Sequence, residues 1–105
     1  MSPYDLYIIH MAWGSDGKTR PVLVFIVDDN TVRVYQVTTQ YENKSEEIKA
    51  LYFKIVDWAQ AGLDKQSYVD IGTLITLPIN AFKGKTPTGR LSDADKLRLL
   101  EFLSN

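Results

Sequence analysis

The stretch that decides the fold reads Gly17-Lys18-Thr19-Arg20-Pro21 and continues directly into Val22-Leu23-Val24-Phe25-Ile26-Val27. The second part is an unbroken apolar run rich in β-branched side chains, which predicts a strand buried on both faces. Pro21 has a fixed φ and no N–H, so it suits the first residue of a strand. The polar turn therefore places Thr19 and Arg20 at the mouth of a rigid element, where functional side chains are commonly presented.

The composition is that of an ordinary globular chain without a dominant charge. The length of 105 residues suits one domain spanning residues 1–105, and 12 basic against 13 acidic residues give a net charge of −1. This balance argues against a protein coated in positive charge for duplex nucleic acid, but it permits a local RNA-binding cleft.

The residue types also limit the chemistry that the chain can perform. Cysteine is absent, so a disulfide, a thiol nucleophile or a cysteine metal site cannot form, and one histidine cannot build a His-rich metal site. We therefore expect no metal and no other cofactor. Since no apolar run is long enough to cross a membrane and no leader pattern opens the chain, we expect a cytoplasmic protein without membrane contact.

The first half of the chain predicts three strands. Residues 5–11 are rich in β-forming side chains, and residues 12–19 contain turn-forming glycines and predict a loop. The second strand covers residues 20–27. After a hairpin signal at residues 28–30, residues 31–37 alternate in character as a half-buried strand does, and this strand ends in Thr38-Thr39-Gln40.

The second half is less uniform. Residues 41–49 are polar and predict a loop or a short irregular turn, whereas residues 50–61 fit either a helical stripe or a short buried strand followed by one helical turn. Residues 67–77 predict one strand that is bent or bulged at Gly72 and ended by Pro78. This order of strands predicts a small, mainly antiparallel β-barrel.

A capped amphipathic helix is predicted at the end of the chain. Ser92 is a favourable N-cap, and acidic residues follow it in the first turn. Leu97, Leu100 and Leu103 recur at helical spacing and predict the buried face.

Several segments together resemble the MazF/PemK/Kid family of toxin endoribonucleases from toxin–antitoxin pairs. They are Gly17 to Val24, Val37-Thr38-Thr39-Gln40, Gly62 to Val69, and Gly89 to Asp93 before the last helix. Each motif alone is weakly specific, whereas the ordered set covers most of the chain. The resemblance implies an SH3-like barrel, a homodimer, RNA cleavage without metal and an antitoxin partner. It also favours a strand for residues 51–56.

The resemblance assigns roles to individual residues. Arg20 and Thr38 lie where the family keeps its catalytic arginine and threonine, and Ser67 matches the serine after the Gly-Leu turn. The acid and glutamine that the family tends to place a few residues later read Gly72-Thr73 here. The residues expected to bind RNA are Lys18, Thr19, Thr39, Gln40, Ser67, Lys83 and Lys85.

The chemistry of RNA cleavage agrees with these assignments. The 2′-OH of RNA can attack the adjacent phosphate if the enzyme aligns the attack and stabilises charge on the phosphoryl oxygens. A guanidinium such as that of Arg20 is planar, permanently charged and bidentate toward phosphate. Thr38 would donate a hydrogen bond to a phosphate oxygen. The structural alternatives are an ion pair of Arg20 with Asp16 or Asp28, and capping of the loop backbone by Thr38.

Other side chains have structural interpretations that compete with functional ones. His10 lies within a strand pattern and is expected in the barrel wall, with a general base as the alternative. Trp13 and Trp58 are expected to close the core or an interface. A rival function for the whole chain is a non-catalytic SH3-like module that binds a peptide.

The antitoxin partner is expected to be a partly disordered segment. An acidic peptide with apolar side chains would pair with Lys18, Arg20, Lys83 and Lys85. It would also bury Trp13 or nearby apolar surface, and it would exclude RNA by occupying the same cations.

Overall fold

A computed structural model describes residues 1–13 and 16–105, and the side chains of all of these except 11–13, 16 and 18. The elements in chain order are β1 (Asp5–Trp13), β2 (Asp16–Val27), β3 (Thr31–Thr38), α1 (Glu46–Lys49), β4 (Tyr52–Lys54), β5 (Tyr68–Pro78), a 3-10 turn (Ile79–Phe82), β6 (Gly89–Arg90) and α2 (Asp93–Ser104). None of the described helices is long and apolar enough to cross a membrane.

The strands form one antiparallel sheet in the order β4-β5-β3-β2-β1-β6. The predicted fold class, mainly antiparallel β with a C-terminal helix, is confirmed. The sheet is open, because β4 and β6 are its two edges and no ladder joins them in the described part of the chain.

The first two strands are longer than predicted. Backbone pairing of β1 with β2 is continuous from Leu6↔Leu23 to Trp13↔Asp16, so the loop predicted over residues 12–19 is mostly strand. Residues 12–19 suggested a loop because they contain glycines and lack apolar alternation, yet Ala12 and Gly17 are paired across the hairpin. Arg20 is consequently held within a ladder, opposite Ile9.

Apolar side chains form two clusters on opposite faces of the sheet. Consecutive residues of β2 separate accordingly, since Leu23 belongs to one cluster and Val22 and Val24 to the other. The first cluster is covered by α2 through Leu99, and Trp58 packs against it, as expected for a tryptophan that closes the core. The second cluster is covered by Phe82, whose ring lies 5.1 Å from that of Tyr7.

Strand β5 is irregular, as predicted. Asp70 pairs with Gln36 and Ile75 pairs with Val34, so the register with β3 shifts between these two pairs. Gly72 lies in the extra length of β5, and the strand ends at Pro78. The bulge bends β5, so the part of the strand at Asp70 is turned relative to the part at Ile75.

The ambiguous segment contains a short strand, β4, which confirms the choice of strand for residues 51–56. The polar segment before it holds the one-turn helix α1, which the sequence did not predict. Ser45 caps this helix by accepting a hydrogen bond from the Ile48 N–H at 3.3 Å.

Helix α2 begins as predicted, but of the three leucines predicted for its buried face only Leu103 packs against the first cluster. The Ser92 hydroxyl accepts the Asp95 N–H at 3.0 Å, whereas Leu97 is 66% and Leu100 43% exposed. Asp95 and Leu99 are fully buried instead. The reason is long-range: the Asp95 carboxylate accepts the backbone N–H groups of Val56 at 3.2 Å and Asp57 at 2.8 Å.

Candidate active site

Strand register collects polar side chains at one end of the sheet. Strands β2 and β3 pair through Val22↔Gln36, and Arg20 and Thr38 lie two residues beyond this pair on their own strands. Side chains two residues apart share a face, so Arg20, Gln36 and Thr38 project on the same side. Thr38 pairs in turn with Tyr68 on β5.

A cleft of about 380 Å³ opens at this end of the sheet. Its lining comprises Arg20, Pro21, Val37, Thr38, Thr39, Gln40 and Ser67. Both residues predicted as catalytic are therefore brought together, along with Thr39, Gln40 and Ser67 from the predicted RNA-binding set.

A second cleft of about 250 Å³ adjoins the first. Its lining comprises Arg20, Gln36, Thr38, Gln40, Lys44, Tyr52 and Asp70. Arg20, Thr38 and Gln40 line both clefts and so lie at their junction. Gln36, Lys44 and Tyr52 were not predicted from the sequence as site residues. For Gln36 a signal was available, because it lies two residues before Thr38 on a strand and the two side chains therefore share a face.

The guanidinium of Arg20 is available to a ligand. Among the side chains that the structure describes, no carboxylate lies within 4.0 Å of it, so the alternative of an ion pair with Asp28 is wrong. The side chain of Asp16 lies outside the described residues. Arg20 is partly buried at the junction, where a bound anion would be shielded from water.

The pKa of the Tyr52 hydroxyl is affected by burial and by the charges of Asp70 and Arg20. Burial raises the pKa of Tyr52, the Asp70 carboxylate raises it further, and the Arg20 guanidinium lowers it. The net direction is upward, so the phenol keeps its proton at neutral pH. Tyr52 is therefore a hydrogen-bond donor in this cleft.

The hydroxyl of Thr38 has one defined partner. Its Oγ1 accepts the backbone N–H of Gln40 at 3.1 Å, so the capping interaction considered from the sequence is present. Because this bond uses a lone pair, the hydroxyl proton is left to donate to another acceptor. Capping and ligand binding are thus compatible in this side chain.

Ser67 lines the first cleft, but its hydroxyl proton is already used in a hydrogen bond within the protein. It is 3% exposed, and its Oγ donates to the Lys65 carbonyl at 2.9 Å. The hydroxyl proton is therefore committed to the turn, and only oxygen lone pairs face the cleft.

Thr19 and His10 lie away from this site. They pair with each other across β1 and β2, with 3.5 Å between His10 Nδ1 and Thr19 Oγ1. Thr19 precedes Arg20 in a regular strand and so projects from the opposite face. His10 lies in β1, within the wall of the sheet as expected, but its side chain is exposed and is not part of the core.

The remaining predicted cations are dispersed. Lys83 and Lys85 are exposed beyond the 3-10 turn and line neither cleft. The side chains of Lys18 and Trp13 lie outside the described residues. Among the described residues no cluster of three or more His, Cys, Asp or Glu side chains is arranged to hold a metal ion.

A group of tyrosines borders the second cleft. The rings of Tyr41 and Tyr68 are stacked with centroids 4.3 Å apart, and Tyr52 lies 6.3 Å from Tyr41. Lys49 Nζ lies 5.1 Å from the Tyr41 centroid, which adds a cation–π contact. These contacts hold the segment after Gln40 against the sheet beside the site.

Comparison with solved structures shows a clear likeness. The chain is similar to the toxin MazF-mt6 of Mycobacterium tuberculosis, with a TM-score of 0.71 and 22% sequence identity, over 96% of this chain and 93% of that one. No protein-family model matches the sequence, and none of the curated proteins does. The chain therefore has a MazF-like fold, which confirms at the level of fold the resemblance drawn from its motifs.

Proposed function

We propose that this protein is the toxin of a type II toxin–antitoxin pair and cleaves single-stranded RNA at sites chosen by sequence. The observation that carries the proposal is the meeting of Arg20 and Thr38 at the junction of two clefts on a MazF-like fold. The toxin MazF-mt6 shares this fold, and the motif resemblance supplies the activity.

In the proposed mechanism Arg20 binds the phosphate that is to be cleaved. Its forked N–H groups contact two non-bridging oxygens, and its charge opposes the negative charge that grows as the 2′-OH attacks. Among the described side chains no carboxylate lies within 4.0 Å of the guanidinium, so none of them forms an ion pair with its N–H donors. The site then favours the transition state over the bound substrate.

Thr38 and Tyr52 supply neutral donors around the same phosphate. The Thr38 hydroxyl is fixed by its bond from the Gln40 N–H, and the Tyr52 phenol stays protonated because its pKa is raised. Pre-positioned donors of this kind need no reorganisation as charge develops. The 2′-oxygen bonds to phosphorus as the bond from phosphorus to the 5′-oxygen breaks. The 2′-OH gives its proton to water and the 5′-oxygen takes one from water, so the products are a 2′,3′-cyclic phosphate and a 5′-hydroxyl.

The proposal includes the partners implied by the resemblance. The protein acts in the cytoplasm as a homodimer, and an antitoxin segment covers the clefts. The two cations that line the second cleft, Arg20 and Lys44, favour an acidic segment.

The test is incubation of the purified protein with unstructured RNA in the presence of EDTA. We expect cleavage to continue and the 5′ fragment to end in a 2′,3′-cyclic phosphate or its hydrolysis product. Loss of cleavage in EDTA, or a 3′-hydroxyl product, would contradict the mechanism. Complete absence of cleavage across diverse RNAs would favour the peptide-binding module.

A further inference from the structure

A third cleft, of about 310 Å³, lies beside the candidate active site. It is lined by Gln36, Asp70, Thr73 and Ile75. Gln36 and Asp70 also line the second cleft together with Arg20, so this pair separates the two spaces. The register shift between Val34 and Gln36 opens the cleft, because β5 bulges away from β3 there.

Gln36 and Asp70 lie on neighbouring strands, β3 and β5. They are directly opposite in the β3–β5 ladder, which places their side chains on one face within reach of a shared ligand. An amide and a carboxylate together present donors and acceptors side by side. Ile75 and Thr73 add the apolar surface that a flat ring can cover.

The carboxylate of Asp70 is held in a fixed orientation. Its Oδ1 accepts the Gly72 N–H at 2.8 Å. A Cβ at position 72 would lie 3.0 Å from that same oxygen, so glycine leaves room for this arrangement. Oδ2 has no hydrogen-bond partner among the described residues, and it is free to accept from a ligand.

A carboxylate repels the phosphate that a neighbouring arginine binds, so its place in this lining is favourable only where it accepts from hydrogen-bond donors. Asp70 is the only carboxylate in the described lining of the three clefts. RNA offers donors through its base edges, which single strands expose. Among the four bases, guanine alone has two adjacent N–H donors on its Watson–Crick edge, N1–H and N2–H₂, and a carboxylate can accept both.

We propose that Gln36 and Asp70 bind an unpaired guanine next to the phosphate held by Arg20. The Asp70 carboxylate accepts from N1–H and N2–H₂, and the Gln36 amide donates to O6. The inference rests on the proposed function for its substrate class, since it names the base that the same RNA presents beside the cleaved bond.

The first test needs no variant and no catalysis. Titrations followed by NMR compare binding of guanosine, inosine and adenosine monophosphates to the intact protein. Inosine lacks the 2-amino group, so losing one bond to a charged acceptor should weaken binding on the order of 10-fold, and adenosine should bind more weakly still. Equal affinity for the three nucleotides would overturn the inference.

The second test uses matched variants. Asp70→Asn keeps the size of the side chain and the acceptor for the Gly72 N–H, but it replaces the free acceptor by a donor. The preference for guanosine over inosine should disappear. Asp29→Asn, in the exposed turn after β2, is the control and should keep the preference. Gln36→Glu should also reduce guanosine binding, because a second carboxylate repels O6.

Cleavage of RNA oligonucleotides separates this inference from the proposed function. Substrates carry guanine, inosine or adenine at each position around one site. Cleavage that requires guanine, and that loses this requirement in Asp70→Asn, supports both. Cleavage indifferent to guanine leaves the endoribonuclease intact and overturns the guanine site. Nucleotide binding that depends on Asp70 without any cleavage upholds the guanine site and contradicts the endoribonuclease.

Discussion

Replacing Arg20 by lysine removes the forked geometry of the guanidinium while keeping its charge at the junction of the two clefts. The guanidinium lines both clefts and has no carboxylate within 4.0 Å among the described side chains, so its donors are free for phosphate. A lysine ammonium can replace one of the two parallel bonds. Losing one charge-assisted bond in the transition state costs about 1.5–3 kcal/mol, or roughly 10- to 150-fold in rate.

The assay is single-turnover cleavage of a fluorescent oligonucleotide, which isolates the chemical step from product release. We expect the rate constant to fall on the order of 10²-fold with the melting temperature unchanged. Arg33→Lys is the control, since Arg33 is exposed on β3 and lines none of the clefts. Near-normal cleavage by a folded Arg20→Lys protein would refute the phosphate clamp, and an unfolded variant would show that Arg20 is structural.

Four further outcomes are expected. Thr38→Val removes the donor but keeps the shape, so cleavage should fall roughly 10-fold while RNA affinity changes little, measured by kinetics and by anisotropy. Asp95→Asn turns an amide donor toward one of the two partly buried backbone N–H groups and removes the charge that pairs with Arg98 at 2.9 Å; chemical denaturation should show a loss of about 1–3 kcal/mol, against little change for the exposed Asp93→Asn. Burial is the main cause of raised pKa values at Tyr7, Tyr35, Tyr52 and Tyr68, so the folded state keeps these protons to higher pH than the unfolded chain. The stability they contribute is present below a pH of about 10 and should decline above it, followed by unfolding at several alkaline pH values. An acidic peptide of the proposed antitoxin should compete with RNA and lose inhibitory strength as salt rises; RNA binding equally tight to the complex and to the free protein would exclude this model.

Much of the site could be predicted because its central residues are local. The apolar run after Pro21 predicts the buried part of β2, and the alternation of β3 places Thr38 at its terminus. Arg20 directly precedes that run, although it lies within β2 and not at the strand end that the sequence predicted. Both depend on patterns within about ten residues of chain, for which strand periodicity is informative. Their meeting follows from one hairpin pairing, Val22↔Gln36.

Asp70 and Tyr52 could not be predicted as site residues, because their positions depend on pairing over long sequence separations. Gln36 and Asp70 become neighbours only through the β3–β5 register, and Tyr52 joins them through β4. Thr19 was predicted to bind RNA because it adjoins Arg20. A continuous strand turns consecutive side chains to opposite faces, and Thr19 therefore lies against His10 instead.

The sequence by itself determined the local elements: the apolar strand after Pro21, the alternating strand that ends at Thr38, and the cap of Ser92 on the last helix. Each depends on side chains and backbone within a few residues. Only the tertiary structure decided which face of that helix is buried. Asp95 enters the core in place of Leu97 and Leu100 because the N–H groups of Val56 and Asp57, 39 and 38 residues away, need acceptors there. Backbone donors that the fold removes from water need hydrogen-bond acceptors. The hydrophobic pattern of a helix cannot show which of its residues will supply them, because the donors lie far away in the sequence.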